Sequence, residues 1–126
     1  MVRRSLVSVV DDDESVRESL PDLLRALGFA AQSFSSAEEF LASLASDDVG
    51  HTGCLILDIA MPGMSGPDLQ RELTLRRQEI PIIFITALGD ETLRPGLLER
   101  GAVECLFKPF SETDLLQALK AAFRMD

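Results

Sequence analysis

The chain is short of cysteine, of lysine and of long apolar runs, and each shortage closes off a class of protein. Only Cys54 and Cys105 are present, too few for a disulfide scaffold and at no spacing that holds zinc. No run nears the roughly eighteen apolar residues of a membrane span. No apolar segment follows Arg3 and Arg4 as one would in a secretory signal. Lys108 and Lys120 are the only lysines among 12 basic residues, which face 21 acidic ones for a net charge of −9. A free-standing nucleic-acid binder needs a basic stripe, so direct nucleic-acid binding is not expected. Internal repeats, low-complexity tracts and linkers are also missing. What remains is ordinary globular composition, 46% hydrophobic and 26% charged, over 126 residues. That is enough for one domain with a buried core. The expectation is a single cytoplasmic domain spanning residues 1–126, with no membrane contact.

Apolar runs alternate with helix-period segments along the whole chain. Leu6 to Val10 is a short continuous run, the mark of a strand buried on both faces. Val16, Leu20, Leu23, Leu24 and Leu27 then recur at helical spacing up to Gly28, with Pro21 inside the stripe, where it should bend the helix. Phe29 to Phe34 reads as a weaker, outer strand. Ser36 and Glu39 have the spacing of a capping box and open a short helix through Leu44. Asp47 to Gly53 is a polar loop in which His51 has no ligand partner nearby. Cys54 to Leu57 is a buried strand running into Asp58, and Cys54 reads as a small core hydrophobe.

After the tight loop Met61 to Gly66, Ser65 suits a cap and Pro67 the first position of a helix reaching about Arg77. Ile80 to Thr86 is the fourth strand. Residues 90–100 should be helical, but Pro95-Gly96 falls in the middle, so that helix should be short, bent or mobile. Ala102 to Phe107 is the fifth strand, and Ser111 caps a last helix through Phe123. Five strands alternating with five helices imply a parallel sheet covered on both faces. Ligands of such sheets bind beyond the carboxyl ends of the strands, at the switch point of strand order.

Those ends carry an unusual set. The first run ends in Asp11-Asp12-Asp13-Glu14, the third in Asp58, the fourth in Thr86-Ala87 and the fifth in Lys108-Pro109. Taken alone, an acidic run after a strand is a helix cap, and a Thr ending a strand is a good strand former. Together at one sheet end they make a different proposition. At an effective dielectric of about 20, two like charges ~4 Å apart cost about 4 kcal/mol, so a fold that gathers carboxylates implies a bound cation or a raised pKa. Mg²⁺ suits a site with few carboxylates and open positions for water and phosphate oxygens, and Mn²⁺ would serve similarly. A compact ammonium at Lys108 and a hydroxyl at Thr86 complete a set fit for phosphoryl transfer, with Asp58, alone at the end of the central strand, as nucleophile.

The segments Val9-Val10-Asp11-Asp12-Asp13, Leu57-Asp58-Ile59-Ala60-Met61-Pro62-Gly63-Met64-Ser65-Gly66, Ile85-Thr86-Ala87 and Lys108-Pro109-Phe110, in this order and spacing, resemble two-component response-regulator receiver domains. Gly101-Ala102-Val103 ahead of Lys108, with Gly89-Asp90 before the fourth helix, is most similar to the receivers of FixJ-type (LuxR-class) transcription factors. The resemblance implies a flavodoxin-like (CheY-like), doubly wound α/β fold with strand order 2-1-3-4-5. It implies phosphorylation of Asp58 by a histidine kinase, with self-catalysed uptake of the phosphoryl group and weak self-dephosphorylation. It further implies Mg²⁺ on Asp12, Asp58 and the Ala60 carbonyl, with Asp11 acting mainly through water. Lys108 would pair with the carboxylate or phosphoryl group before a cis Pro109, and Thr86 would swing toward the phosphoryl group. Asp13 would lie outside the metal shell and cap the first helix. The implied partners are a cognate kinase, an output domain or downstream protein, and a second copy in a phosphorylation-dependent dimer through the fourth helix, fifth strand and fifth helix. No output domain is expected within residues 1–126.

Three departures from the receiver pattern shape further expectations. Receivers place Tyr or Phe where this chain has Cys105, so the activation signal is expected to leave through Thr86, Ala87 and the following helix. Pro95-Gly96 suggests a fourth helix ordered by phosphorylation or by a partner. Ala60 and Leu88, two residues beyond Asp58 and Thr86, are apolar and cannot orient a hydrolytic water, so the phosphoryl group should be long-lived. Two competing readings stand beside the receiver. A phosphohydrolase of the haloacid-dehalogenase kind would pair Asp11 with Asp13, and a phosphorylation-independent interaction module would lack the acceptor, the acidic pair or the Lys.

Overall fold

A computed structural model describes residues 6–45, 52–87 and 91–124. The elements run β1 (Leu6–Val10), α1 (Glu14–Ala26), β2 (Ala30–Phe34), α2 (Ala37–Leu44), β3 (Cys54–Asp58), α3 (Gly66–Leu75), β4 (Ile82–Thr86), a 3₁₀ turn (Glu91–Leu93), α4 (Arg94–Glu99), β5 (Glu104–Phe107) and α5 (Glu112–Phe123). All strand pairs are parallel, in the order β2-β1-β3-β4-β5. β2, the least buried strand, lies at the sheet edge as its weaker pattern suggested.

The continuous apolar runs are explained by the two-residue side-chain period. Val7, Val9, Cys54, Ile56, Ile83 and Ile85 point to one face, where Leu20 and Leu24 of α1 and Leu115 and Leu119 of α5 cover them. Val10, Leu55, Leu57, Ile82 and Phe84 point to the other, under Phe40 of α2, Leu69 and Leu73 of α3 and Leu97 of α4. The three central strands, β1, β3 and β4, therefore need apolar side chains at nearly every position before the residues that end them. Ser8 in β1 is the exception; its buried hydroxyl lies 2.7 Å from Thr52 Oγ1 and accepts from Gln32 Nε2 at 2.9 Å, which removes the cost of an unpaired buried polar group.

Helix ends follow local chemistry. Asp13, Ser36, Ser65 and Ser111 each accept from a first-turn N–H at the start of α1, α2, α3 and α5. The reciprocal capping box forms at Ser65 and Asp68. At α2 it does not close on Ser36, because the Glu39 carboxylate accepts from the Ser35 N–H instead. α1 stops at Gly28, whose φ of +99° is disfavoured for a residue with a Cβ.

Several expected boundaries shift. α1 continues as helix through Pro21. β4 begins at Ile82 rather than Ile80, β5 at Glu104 rather than Ala102, and α3 ends at Leu75. The main correction concerns Pro95-Gly96. α4 starts at Arg94, so Pro95 occupies the first turn, where a missing N–H has no intrahelical partner to lose. The helix is six residues long because it starts late. His51 and Leu88 lie outside the described residues.

Candidate functional site

The strand order places the switch point between β1 and β3, and their register decides what meets there. Val10 pairs with Leu57, so the next residues of the two strands, Asp11 and Asp58, stand side by side. Asp12 follows on the β1–α1 turn, and carboxylate oxygens of Asp11, Asp12 and Asp58 lie within 4.8 Å of one another. Asp11 is fully buried and Asp58 is 7% exposed, whereas Asp12 is open to solvent. Thr86 ends β4 at the same sheet end and is also buried. Its carbonyl accepts from the Lys108 N–H at 2.7 Å, which carries the β4–β5 ladder one residue further and aims Lys108 back over the cluster. The Lys108–Pro109 peptide bond is cis.

Lys108 is closer to Asp11 than to Asp58. Its Nζ lies 3.1 Å from Asp11 Oδ2 and 3.9 Å from Asp58 Oδ1. Asp11 Oδ1 accepts from the Asp13 N–H at 2.9 Å. Both oxygens of Asp11 are thus engaged, which suits a residue that acts on a cation through water. Asp58 is buried with Lys108 farther from it than from Asp11. Burial pushes the pKa of Asp58 up to about 7, the Asp11 and Asp12 carboxylates add to the rise, and Lys108 and the Ile59 N–H oppose it. Such a shift at the end of a buried strand is typical of a functional carboxylate. The donors fit a hard divalent ion: all oxygen, two of the three carboxylates buried, with one exposed side of the cluster left for water or a phosphate oxygen.

Asp13 turns away from this group. Its carboxylate accepts from the Ser15 N–H and hydroxyl, which lowers its pKa, and it caps α1. The Asp11–Asp13 pair that a haloacid-dehalogenase-type hydrolase would need is therefore not assembled. Ala60 and Ala87 are exposed beyond β3 and β4. Cys105 is buried in β5 on the face covered by α4. Cys54 is a core residue, its thiol pushed up to about 12 by burial alone.

Three supporting contacts were not legible in the sequence. Gly66 passes so close to β3 that a Cβ there would sit 2.3 Å from the Asp58 carbonyl oxygen. Glu38 of α2 accepts from the Met64 N–H at 3.1 Å and ties down the loop after Asp58. Arg17 Nη1 donates to the Asp11 carbonyl at 3.0 Å. A glycine eight residues after a strand-end carboxylate was a weak available signal for the first; the other two contacts join residues with no local pattern.

One cleft borders Lys108 and a second runs along β5. Val16, Leu20, Leu23 and Phe110 line the first, which is apolar and of about 310 Å³. Arg94, Cys105, Phe107 and Pro109 border the second, of about 470 Å³, where Arg94 pairs with Glu104 at 2.6 Å. A cleft of about 790 Å³ opens at the opposite end of the strands, away from the carboxylates.

Residues 7–120 match the family model described as response regulator receiver domain. The chain is 43% identical over 125 residues to response regulator protein TmoT of Ectopseudomonas mendocina, covering 98% of this chain and 54% of that protein. It is 44% identical over 123 residues to nodulation protein W of Bradyrhizobium diazoefficiens, covering 98% and 53%. The crystal structure of FixJ-N superposes with a TM-score of 0.86 at 38% identity, covering 98% of this chain and 96% of that one. The chain thus spans about half the length of the curated relatives it matches.

Proposed function

The chain belongs to the response regulator receiver domain family, and from that premise we propose that Asp58 is its phosphoryl acceptor. The observation that carries this is the juxtaposition of a nearly buried Asp58 with two further carboxylates and Lys108 at the switch point of the sheet. An Asp58 carboxylate oxygen attacks the phosphorus of a phosphohistidine in a kinase, or of a small acyl phosphate. A P–O bond to Asp58 forms as the P–N or P–O bond of the donor breaks, and the leaving imidazole takes up a proton while acetate leaves as the anion. Asp12, Asp58 and the Ala60 carbonyl would hold Mg²⁺ or Mn²⁺, with Asp11 contributing mainly through water. The ion, when bound, neutralises the cluster and the incoming phosphoryl oxygens. The Lys108 ammonium exchanges its pairing with Asp11 for a phosphoryl oxygen, and the Thr86 hydroxyl donates to another.

The remaining partners are proposed from the surfaces that could receive them. The apolar cleft beside Lys108 suits a helix of the donor kinase, since it borders the site without covering it. The α4–β5–α5 face is the output side, toward an attached domain, a downstream protein or a second copy. β5 is an edge strand there and Leu93 is 43% exposed. With Cys105 in place of a ring, the signal leaves through Thr86, Ala87 and the 3₁₀ turn. Apolar side chains at Ala60 and Leu88 make hydrolysis slow. The setting is the cytoplasm, the output transcriptional; no helix among the described residues is long and apolar enough to cross a membrane. The test is incubation with acetyl phosphate and MgCl₂ followed by intact mass measurement. One added phosphoryl group, absent in Asp58→Asn, is expected. An unmodified wild-type chain, or equal modification of the variant, overturns the reading.

A further inference from the structure

Asp11 has a partner at each of its four polar main-chain and side-chain positions. Its N–H donates to the Phe34 carbonyl at 3.2 Å, extending the β1–β2 ladder. Oδ1 accepts from the Asp13 N–H, and Oδ2 from Lys108. The fourth partner is of another kind: the charged guanidinium of Arg17 reaches back from α1 to the Asp11 carbonyl at 3.0 Å. Arg17 also donates its own N–H to the Asp13 carbonyl at 3.1 Å. That backbone bond is the first i→i−4 bond of α1, which any residue but proline makes there, so what is particular to Arg17 is the side-chain bond to the Asp11 carbonyl. Among the described residues its guanidinium forms no ion pair with a carboxylate, although Asp11, Asp12 and Asp13 all carry one on that turn. It is half-buried, and a hydrogen bond from a charged donor is about twice as strong as a neutral one.

We infer that Arg17 is a positioning residue, which by holding the Asp11 carbonyl sets the β1–α1 turn so that the Asp11 and Asp12 carboxylates face Asp58 at the spacing a divalent cation needs. The inference rests on the phospho-acceptor reading above. Groups that hold a metal ligand without touching the metal typically change affinity by 10–100-fold when removed. A purely electrostatic role predicts the reverse sign, because taking a cation away from an acidic cluster favours a divalent ion.

The test is an amide chemical-shift titration with MgCl₂ of wild-type, Arg17→Ala and Arg17→Lys proteins, alongside phosphorylation by acetyl phosphate at limiting and saturating MgCl₂. Arg17→Ala should weaken Mg²⁺ binding about tenfold and slow phosphorylation at limiting MgCl₂. Near-wild-type rates should return at saturation. Arg17→Lys, which keeps a charged donor, should recover part of the affinity. Unchanged or tighter Mg²⁺ binding in Arg17→Ala overturns the inference. So does a loss accompanied by a falling urea midpoint and shift changes spread to the far end of the sheet, since that marks a general structural role. If the wild-type protein binds Mg²⁺ but takes up no phosphoryl group, the phospho-acceptor reading fails, while the titration still decides the part played by Arg17.

Discussion

Replacing Asp58 by Asn should make the metal-free protein more stable, although it removes the residue on which the site is built. Burial and the neighbouring carboxylates raise Asp58 from the ordinary 3.8 to about 7. In the native state it therefore keeps its proton over a range where the unfolded chain has already lost it. Between about pH 4 and pH 7 the native state binds more protons, so stability falls as pH rises and levels off above pH 7. A carboxyl raised from 3.8 to about 7 corresponds to about 4 kcal/mol of native-state penalty at pH 8. The side chain is 11% exposed, and water relieves part of this, so about 2 to 4 kcal/mol is expected. Asn keeps the shape and removes the charge. Urea unfolding in EDTA should show Asp58→Asn more stable than wild type by that amount at pH 8, with the gap closing toward pH 4. MgCl₂ should narrow the gap at pH 8, because an ion held only by the folded wild-type cluster stabilises it by mass action. An equal gap at pH 4 and pH 8, or no gap at pH 8, would refute the electrostatic account of the pocket.

Lys108→Met should act in the opposite direction. It leaves the fully buried Asp11 carboxylate without its cation, and a loss of about 1 to 3 kcal/mol at pH 7 is expected in urea unfolding, less than for a wholly buried pair because the lysine side chain is 29% exposed. Gly66→Ala forces a Cβ against the Asp58 carbonyl and should cost about 1 to 3 kcal/mol; the displaced Asp58 should also be phosphorylated more slowly by acetyl phosphate. Pro95→Ala separates two views of α4. At the first turn of the helix the change should be within about 1 kcal/mol in thermal or urea unfolding, whereas relief of a mid-helix proline would stabilise by about 3 kcal/mol.

The strands were legible because burial on both faces leaves a strong local trace. Cys54-Leu55-Ile56-Leu57 and Ile82-Ile83-Phe84-Ile85 are apolar at consecutive positions, and neither a surface helix nor a half-exposed strand tolerates that. Caps were equally plain, since Asp13, Ser65 and Ser111 act on N–H groups two or three residues away. Boundaries were less so. Whether Pro95 interrupts a helix or begins one depends on where the preceding 3₁₀ turn hands over to α4, and the residue types around it allow both.

The candidate site divides along the same line. By itself the sequence determined which residues end the strands, and hence that Asp11, Asp58, Thr86 and Lys108 stand at the carboxyl end of the sheet. Only the tertiary structure decided how they are paired. Lys108 lies nearer to Asp11 than to Asp58, Asp13 leaves the cluster for its helix, Arg17 holds a main-chain carbonyl, and Gly66 gives way to the backbone of Asp58. The physical reason is reach. A parallel strand writes its burial into its own residues, whereas the partner of a buried charge is chosen by strand register and packing between segments distant in the chain, as Lys108 and Asp11 are, 97 residues apart.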